Sequence, residues 1–195
     1  MIIQSASGAT EHSISRDNNM ALSMHAVGVP AFLTTLGALS KILDKAAAHC
    51  EARKIDPAAL LTMRLAPDMF TFTRQVQLTC DFAKNTMGRL TGEPPKFPDE
   101  EKSFADLKAR IAKTVEYVKG FTPAQIDAAA DKDVTFPIGP QQTMTLKGAD
   151  YLVGFALPNF YFHATTAYDI LRHCGVELGK RDFLGGRERA GLGRR

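Results

Sequence analysis

Asn159 and His163 stand four residues apart in the stretch LPNFYFHATTAYDILRHCG, residues 157–175, whose first half is otherwise apolar. An imidazole nitrogen and an amide oxygen at that spacing suit two kinds of chemistry. In a core they satisfy each other and neighbouring carbonyls, as buried polar groups must. Alternatively they supply two ligands of a divalent metal whose remaining ligands come from a facing helix. Spacing alone leaves both open. On a helix, residues four apart lie within about 40° of each other and roughly 6 Å apart in rise, so the pair shares a face. His173, ten residues beyond His163, is turned about 80° away and sits about 15 Å along the axis, so the two histidines cannot hold one ion. Tyr168 and Arg172, again four apart, could fix an acidic ligand or make an ordinary contact between helices. Arg64 and Arg74 flank Asp68 and could hold it in an ion pair. No phosphate-cradling glycine motif, nucleophile elbow or paired-carboxylate signature occurs, so nucleotide-dependent and hydrolytic chemistries gain no support.

The elements that must position these residues are written mainly in helical periods. From Met24 to Glu51 the apolar positions Phe32, Leu36, Leu39, Leu43, Ala46 and Cys50 recur every three or four residues, which predicts an amphipathic helix that Pro30 bends or begins. A second helix is expected to open near Ala66-Pro67-Asp68, with proline at a first-turn position and aspartate at the positive end of the dipole. Its stripe is Met69, Phe72, Val76, Cys80, Ala83, Met87 and Leu90, closed by Gly92. The proline-rich GEPPKFPDEE must be a connector. A third helix follows Asp99, Glu100 and Glu101 on the seam Phe104, Leu107, Ile111, Val115 and Val118, ending at Gly120. The stretch DVTFPIGPQQTMTL changes period and reads as a small hairpin around Gly139-Pro140. The fourth helix runs from about Ala149 to His173 with Gly175 as its stop, and the face it shares with Asn159 and His163 also carries Leu152, Ala156, Thr166 and Ile170. Four long helices and one hairpin predict an all-α, four-helix-bundle architecture with the hairpin before the last helix.

Composition agrees with one soluble globular domain: 195 residues, 45% hydrophobic and 23% charged. The longest apolar run, Tyr151 to Phe162, carries Pro158 and Asn159 and falls short of the roughly 20 residues that span a bilayer, so no membrane partner is expected. Net charge is +3, and from Lys180 onward six basic residues face two acidic ones, leaving 18 basic and 19 acidic in the rest. The tail GGRERAGLGRR lacks interleaved aromatics, so residues 186–195 are read as a basic flexible tail and nucleic acid is not the expected partner. Residues 1–19 have no secretory pattern and are read as a disordered N-terminal extension, leaving 20–185 as the bundle domain. Cys50, Cys80 and Cys174 lack the paired spacing of a zinc ribbon or a redox motif, which points to reduced thiols in the cytoplasm.

The stretches SKILDKAAAHCEARKIDPAALLTMRLAPDM, RLAPDMFTFTRQVQLTCDFAK and FALPNFYFHATTAYDILRHCGVELGKRDFLG together resemble the domain-of-unknown-function family numbered nineteen ninety-three, within the DinB/YfiT-like superfamily of metalloenzymes. The resemblance covers Met20 to Gly185. It implies a DinB/YfiT-like four-helix bundle, commonly a dimer, in which three histidines hold a divalent metal, two of them four apart on the last helix. Here HATTAYDILRHCG matches the second histidine with His163 and the helix ending with Leu171, Arg172 and Gly175. Asn159 takes the first histidine's place. Near the start of the second helix the available residue is Asp68.

The resemblance therefore implies a site of His163, Asn159 and Asp68, a harder and more oxygen-rich set than three imidazoles, with weaker affinity for zinc or nickel. Two functions are expected from it. One is a metal-dependent enzyme of the thiol-dependent transferase kind with a degenerate metal site, in which the metal would activate a thiol nucleophile. The other is a non-catalytic dimeric bundle that binds a small molecule or serves a structural role after losing the metal triad. A homodimer is expected in both, because the fourth helix is apolar on more than one face.

Overall fold

The structure, a computed structural model, describes residues 23–185. The expectations for residues 1–19 and 186–195 lie outside that range. Helix α1 spans Met24–Arg53, α2 Pro57–Leu61, α3 Phe72–Thr91, α4 Phe104–Lys119 and α5 Pro123–Asp127. Strands β1 (Asp133–Gly139) and β2 (Gln142–Lys147) form an antiparallel hairpin, and a short helix α6 (Gly148–Asp150) runs through a π-helical segment, Tyr151–Ala156, into α7 (Leu157–His173). Helix α8, Lys180–Phe183, follows. The molecule is thus mostly helical with one small hairpin before its last long helix.

Side-chain caps set the beginnings of the helices. Ser23, Asp56, Thr71, Ser103 and Thr122 each accept a hydrogen bond from a backbone N–H of the first turn, a contribution of about 1 kcal/mol apiece. Thr71 therefore opens α3, and the Ala66-Pro67-Asp68 triplet expected to begin that helix is a turn ahead of it. A threonine hydroxyl that satisfies the Arg74 N–H outweighs a proline and an aspartate placed four residues too early. Pro30 lies inside α1 and is exposed; the helix begins a full turn and more before it, on the Ser23 cap. Gly175, at a φ of 88°, ends the last long helix in the left-handed conformation expected of it.

The four longest helical stretches pack as their stripes require. Helix α1 lies along α4, α3 lies along both α4 and α7, and α7 returns to touch α1. Phe32, Leu36, Leu39, Leu43, Phe72, Val76, Met87, Leu107, Ile111 and Ile170 are all buried in one continuous core. Each such side chain contributes roughly 2 kcal/mol on burial. An 18-residue window of α1 has a mean hydropathy of 1.5, enough by composition to cross a membrane, but half of it is buried inside the protein. The hairpin docks through Val134 and Phe136, while β2 is almost wholly exposed.

The connector between α3 and α4, residues 92–103, has no regular structure and is fastened by side chains. Lys84 donates to the Pro95 carbonyl at 2.9 Å and Arg110 to the Pro98 carbonyl at 2.9 Å. Arg110, nearly sealed from solvent, also meets Asp81 at 2.8 Å, Glu101 at 2.9 Å and Asp99 at 3.0 Å. Three cations, Lys84, Arg110 and Lys113, surround the Phe97 ring at 5.2, 5.8 and 4.2 Å. Gly88 permits the strap to lie flat on α3, since a Cβ there would fall 2.4 Å from Pro94 Cα.

Candidate functional site

His163 is buried, 8% exposed, on the side of α7 that faces α3. Its Nδ1 lies 2.7 Å from Oε1 of Gln75, one turn into α3. Gln75 is 1% exposed, and its amide nitrogen points to the Phe70 carbonyl at 3.5 Å, a long contact that nevertheless orients the group. A carbonyl can only accept, so the Gln75 nitrogen faces Phe70 and its oxygen faces His163. Nδ1 must then carry the proton, and Nε2 is left with its lone pair. Phe82 stacks on the imidazole with centroids 5.5 Å apart and planes 19° from parallel, and Phe162 meets it edge-on at 5.3 Å.

This setting keeps the ring neutral. Burial, helped by the nearby positive charge of Arg74, lowers the His163 pKa from 6.5 to about 4. Arg74 itself is turned away into the connector, donating to Gln77 at 3.2 Å and pairing with Asp99. Nε2 makes no hydrogen bond to the protein among the described residues and is not one of their sealed polar atoms. At neutral pH it is an acceptor with no protein partner, on a fixed and uncharged ring.

Asn159 stands one turn before His163 and is partly buried, but its partner lies elsewhere. Its amide nitrogen donates to the Phe155 carbonyl at 2.8 Å, within the π-helical segment, and its oxygen has no partner among the described residues. This is a side-chain bond back to the carbonyl four residues earlier, the local pattern that competes with a contact across helices. The two residues share the helix as their spacing requires, yet they do not satisfy each other: Gln75 serves His163 and the backbone serves Asn159. Asp68 is exposed in the turn ahead of α3, and Arg64 donates to the Met69 carbonyl at 2.8 Å without an ion pair to Asp68 among the described residues. His173 and Arg172 are exposed near the far end of α7, and Tyr168 packs its ring against Phe183 at 5.8 Å.

Among the described residues no group of three or more histidine, cysteine, aspartate or glutamate side chains is gathered closely enough to hold a metal ion. One imidazole, one amide oxygen on the same helix and one carboxylate on an exposed turn do not fit a resident zinc or nickel ion of the three-imidazole kind. Gln75, absent from the residues expected at the site, is the one that orients the histidine. A signal for it existed: it lies one residue before Val76 on the buried stripe, where a long polar side chain needs a partner. The three cysteines are free; burial raises the thiol of Cys80 to about 12 and also raises those of Cys50 and Cys174, so none is a ready nucleophile.

The family described as domain of unknown function (DUF1993) matches residues 24–184. No curated protein matches the chain. A crystal structure of a DinB family member from Shewanella denitrificans superposes with a TM-score of 0.80 at 41% identity, covering 87% of this chain and 96% of that one.

Proposed function

The chain belongs to the DUF1993 family, and from that premise we propose that it is a DinB-like four-helix bundle, built from α1, α3, α4 and the α6–α7 helix, that binds a small organic molecule at His163. The observation that carries this reading is the Gln75–His163 hydrogen bond of 2.7 Å. It fixes the tautomer and leaves a neutral Nε2 as acceptor, backed by Phe82 and Phe162. A fixed acceptor against aromatic faces suits a ligand with an N–H or O–H donor and an apolar body. Such a ligand binds without a metal, so the reading is of a non-catalytic binding bundle that has departed from the three-histidine pattern.

A second reading keeps the metal. Nε2 of His163 and the amide oxygen of Asn159, one turn apart, both lack protein partners among the described residues, and Asp68 is on an exposed turn ahead of α3. These three would hold zinc or nickel weakly, as a set poor in nitrogen does. Calorimetric titration of tag-free protein and of His163→Gln with zinc, nickel and manganese separates the two. Flat traces for both proteins, with a ligand-library thermal shift that disappears in His163→Gln, support the binding bundle. Stoichiometric metal uptake lost in the variant overturns it in favour of the metal.

The same reading includes a homodimer in a reducing cytoplasm. Support comes from large apolar side chains left exposed on the last helix, Val153 at 57% and Phe162 at 57%, and from three unpaired thiols. A monomeric mass by light scattering at micromolar concentration counts against the dimer.

A further inference from the structure

A concave surface without His163 in its walls lies between the C-terminal half of α3, the proline-rich connector and the hairpin. It is an open cleft of about 800 Å³ whose walls include Lys84, Asn85, Arg89, Pro95, Lys96 and Thr135. His163 lines none of it. We propose that this cleft binds a small organic oxyanion, a carboxylate or a phosphate, with Arg89 as its principal contact.

Arg89 carries the argument. Its guanidinium donates to the Tyr151 hydroxyl at 3.1 Å and lies over the rings of Phe136 and Tyr151 at 5.4 and 6.0 Å. Phe136 comes from the docked hairpin and Tyr151 opens the π-helical segment, so two separate elements combine to hold this one cation in place. Among the described residues it has no carboxylate partner, in contrast to Arg74 and Arg110, which are both ion-paired. A planar guanidinium held by rings and one hydroxyl keeps further N–H donors for a bidentate oxyanion.

The neighbouring lysine and asparagine side chains have the same polarity. Lys84 gives its protons to the Asn85 side-chain oxygen at 2.7 Å, the Pro95 carbonyl at 2.9 Å and Asp81 at 3.5 Å, so it adds positive charge to the wall without needing a ligand. Because the Asn85 oxygen is taken, its amide N–H₂ is the half left over, a second donor without a partner among the described residues. Lys96 on the connector makes no ion pair among the described residues and supplies a third. Of the two acids on the wall, Asp81 is already matched by Arg110 and Lys84, and Glu93 is exposed. The uncommitted side-chain groups are thus mainly donors, around a fixed cation, and an oxyanion is what they fit.

The test is calorimetric titration of the intact protein with inorganic phosphate and with succinate, at constant ionic strength, for wild type, Arg89→Gln, Lys96→Gln, Asn85→Asp and a distant control, Lys119→Gln. Saturable binding is expected for at least one anion, and which one saturates distinguishes phosphate from carboxylate. Arg89→Gln should weaken it by about tenfold or more, Lys96→Gln less, and Lys119→Gln not at all. Asn85→Asp puts a carboxylate beside the ligand and should abolish binding, which decides the matter if Arg89→Gln does not fold. The proposal is overturned if neither anion saturates, if folded Arg89→Gln or Asn85→Asp binds as wild type does, or if the control weakens binding equally.

Discussion

The neutral state of His163 makes the stability of the fold depend on pH. Its folded pKa is depressed from 6.5 to about 4. The unfolded chain therefore binds a proton that the folded chain refuses between those values, and stability falls as pH drops from about 6.5 to about 4. At roughly 1.4 kcal/mol per unit, the loss from this one side chain is about 2 kcal/mol by pH 5 and about 3 kcal/mol by pH 4. For a domain of this size that is a large share of a net stability of about 5–15 kcal/mol. The assay is urea denaturation at half-unit steps from pH 7.5 to 4, for wild type and for His163→Gln. Glutamine can still hydrogen-bond Gln75 but does not titrate. The carboxylates and the other histidines are common to both proteins, so the difference between the two curves isolates His163. Wild type should lose about 3 kcal/mol more than the variant across the range. Parallel curves would refute the buried neutral imidazole and with it the tautomer that leaves Nε2 free.

Other outcomes follow from particular contacts. Arg110→Ala leaves Asp81 and Glu101 facing each other without their shared cation; because both acids retain some contact with water, the loss should be about 3 kcal/mol by denaturant titration, at the low end for a broken buried pair. Gly88→Ala, whose Cβ would fall 2.4 Å from Pro94 Cα, should cost about 1–3 kcal/mol and speed limited proteolysis within residues 92–103. Native protein at pH 8 should react with a thiol reagent only slowly and only at Cys174, which is partly exposed, whereas Cys50 and Cys80 should react after unfolding. Fast labelling of Cys80 in the native protein would contradict its burial.

The periodicity of Phe32 to Cys50, of Phe72 to Leu90 and of Phe104 to Val118 was sufficient to place three of the long helices, because a stripe of apolar side chains has only one way to leave water and carries its own register. The hairpin was legible for a similar reason, since Val134 and Phe136 alternate with exposed neighbours. Asn159 and His163 were found as polar residues in an apolar stretch. What they touch was not legible. The sequence places them four apart, but whether they meet depends on the bond Asn159 makes back to the Phe155 carbonyl and on the approach of Gln75 from a helix 88 residues away. The cleft around Arg89 was equally hidden, since its cation is held by Phe136 from the hairpin and Tyr151 from the following helix, a meeting that no local pattern encodes. Local periodicity determines which face of each element is buried, because burial is a property of one helix against water. Which side chains converge on a site is set by how the helices cross, and that is decided only when the whole core packs.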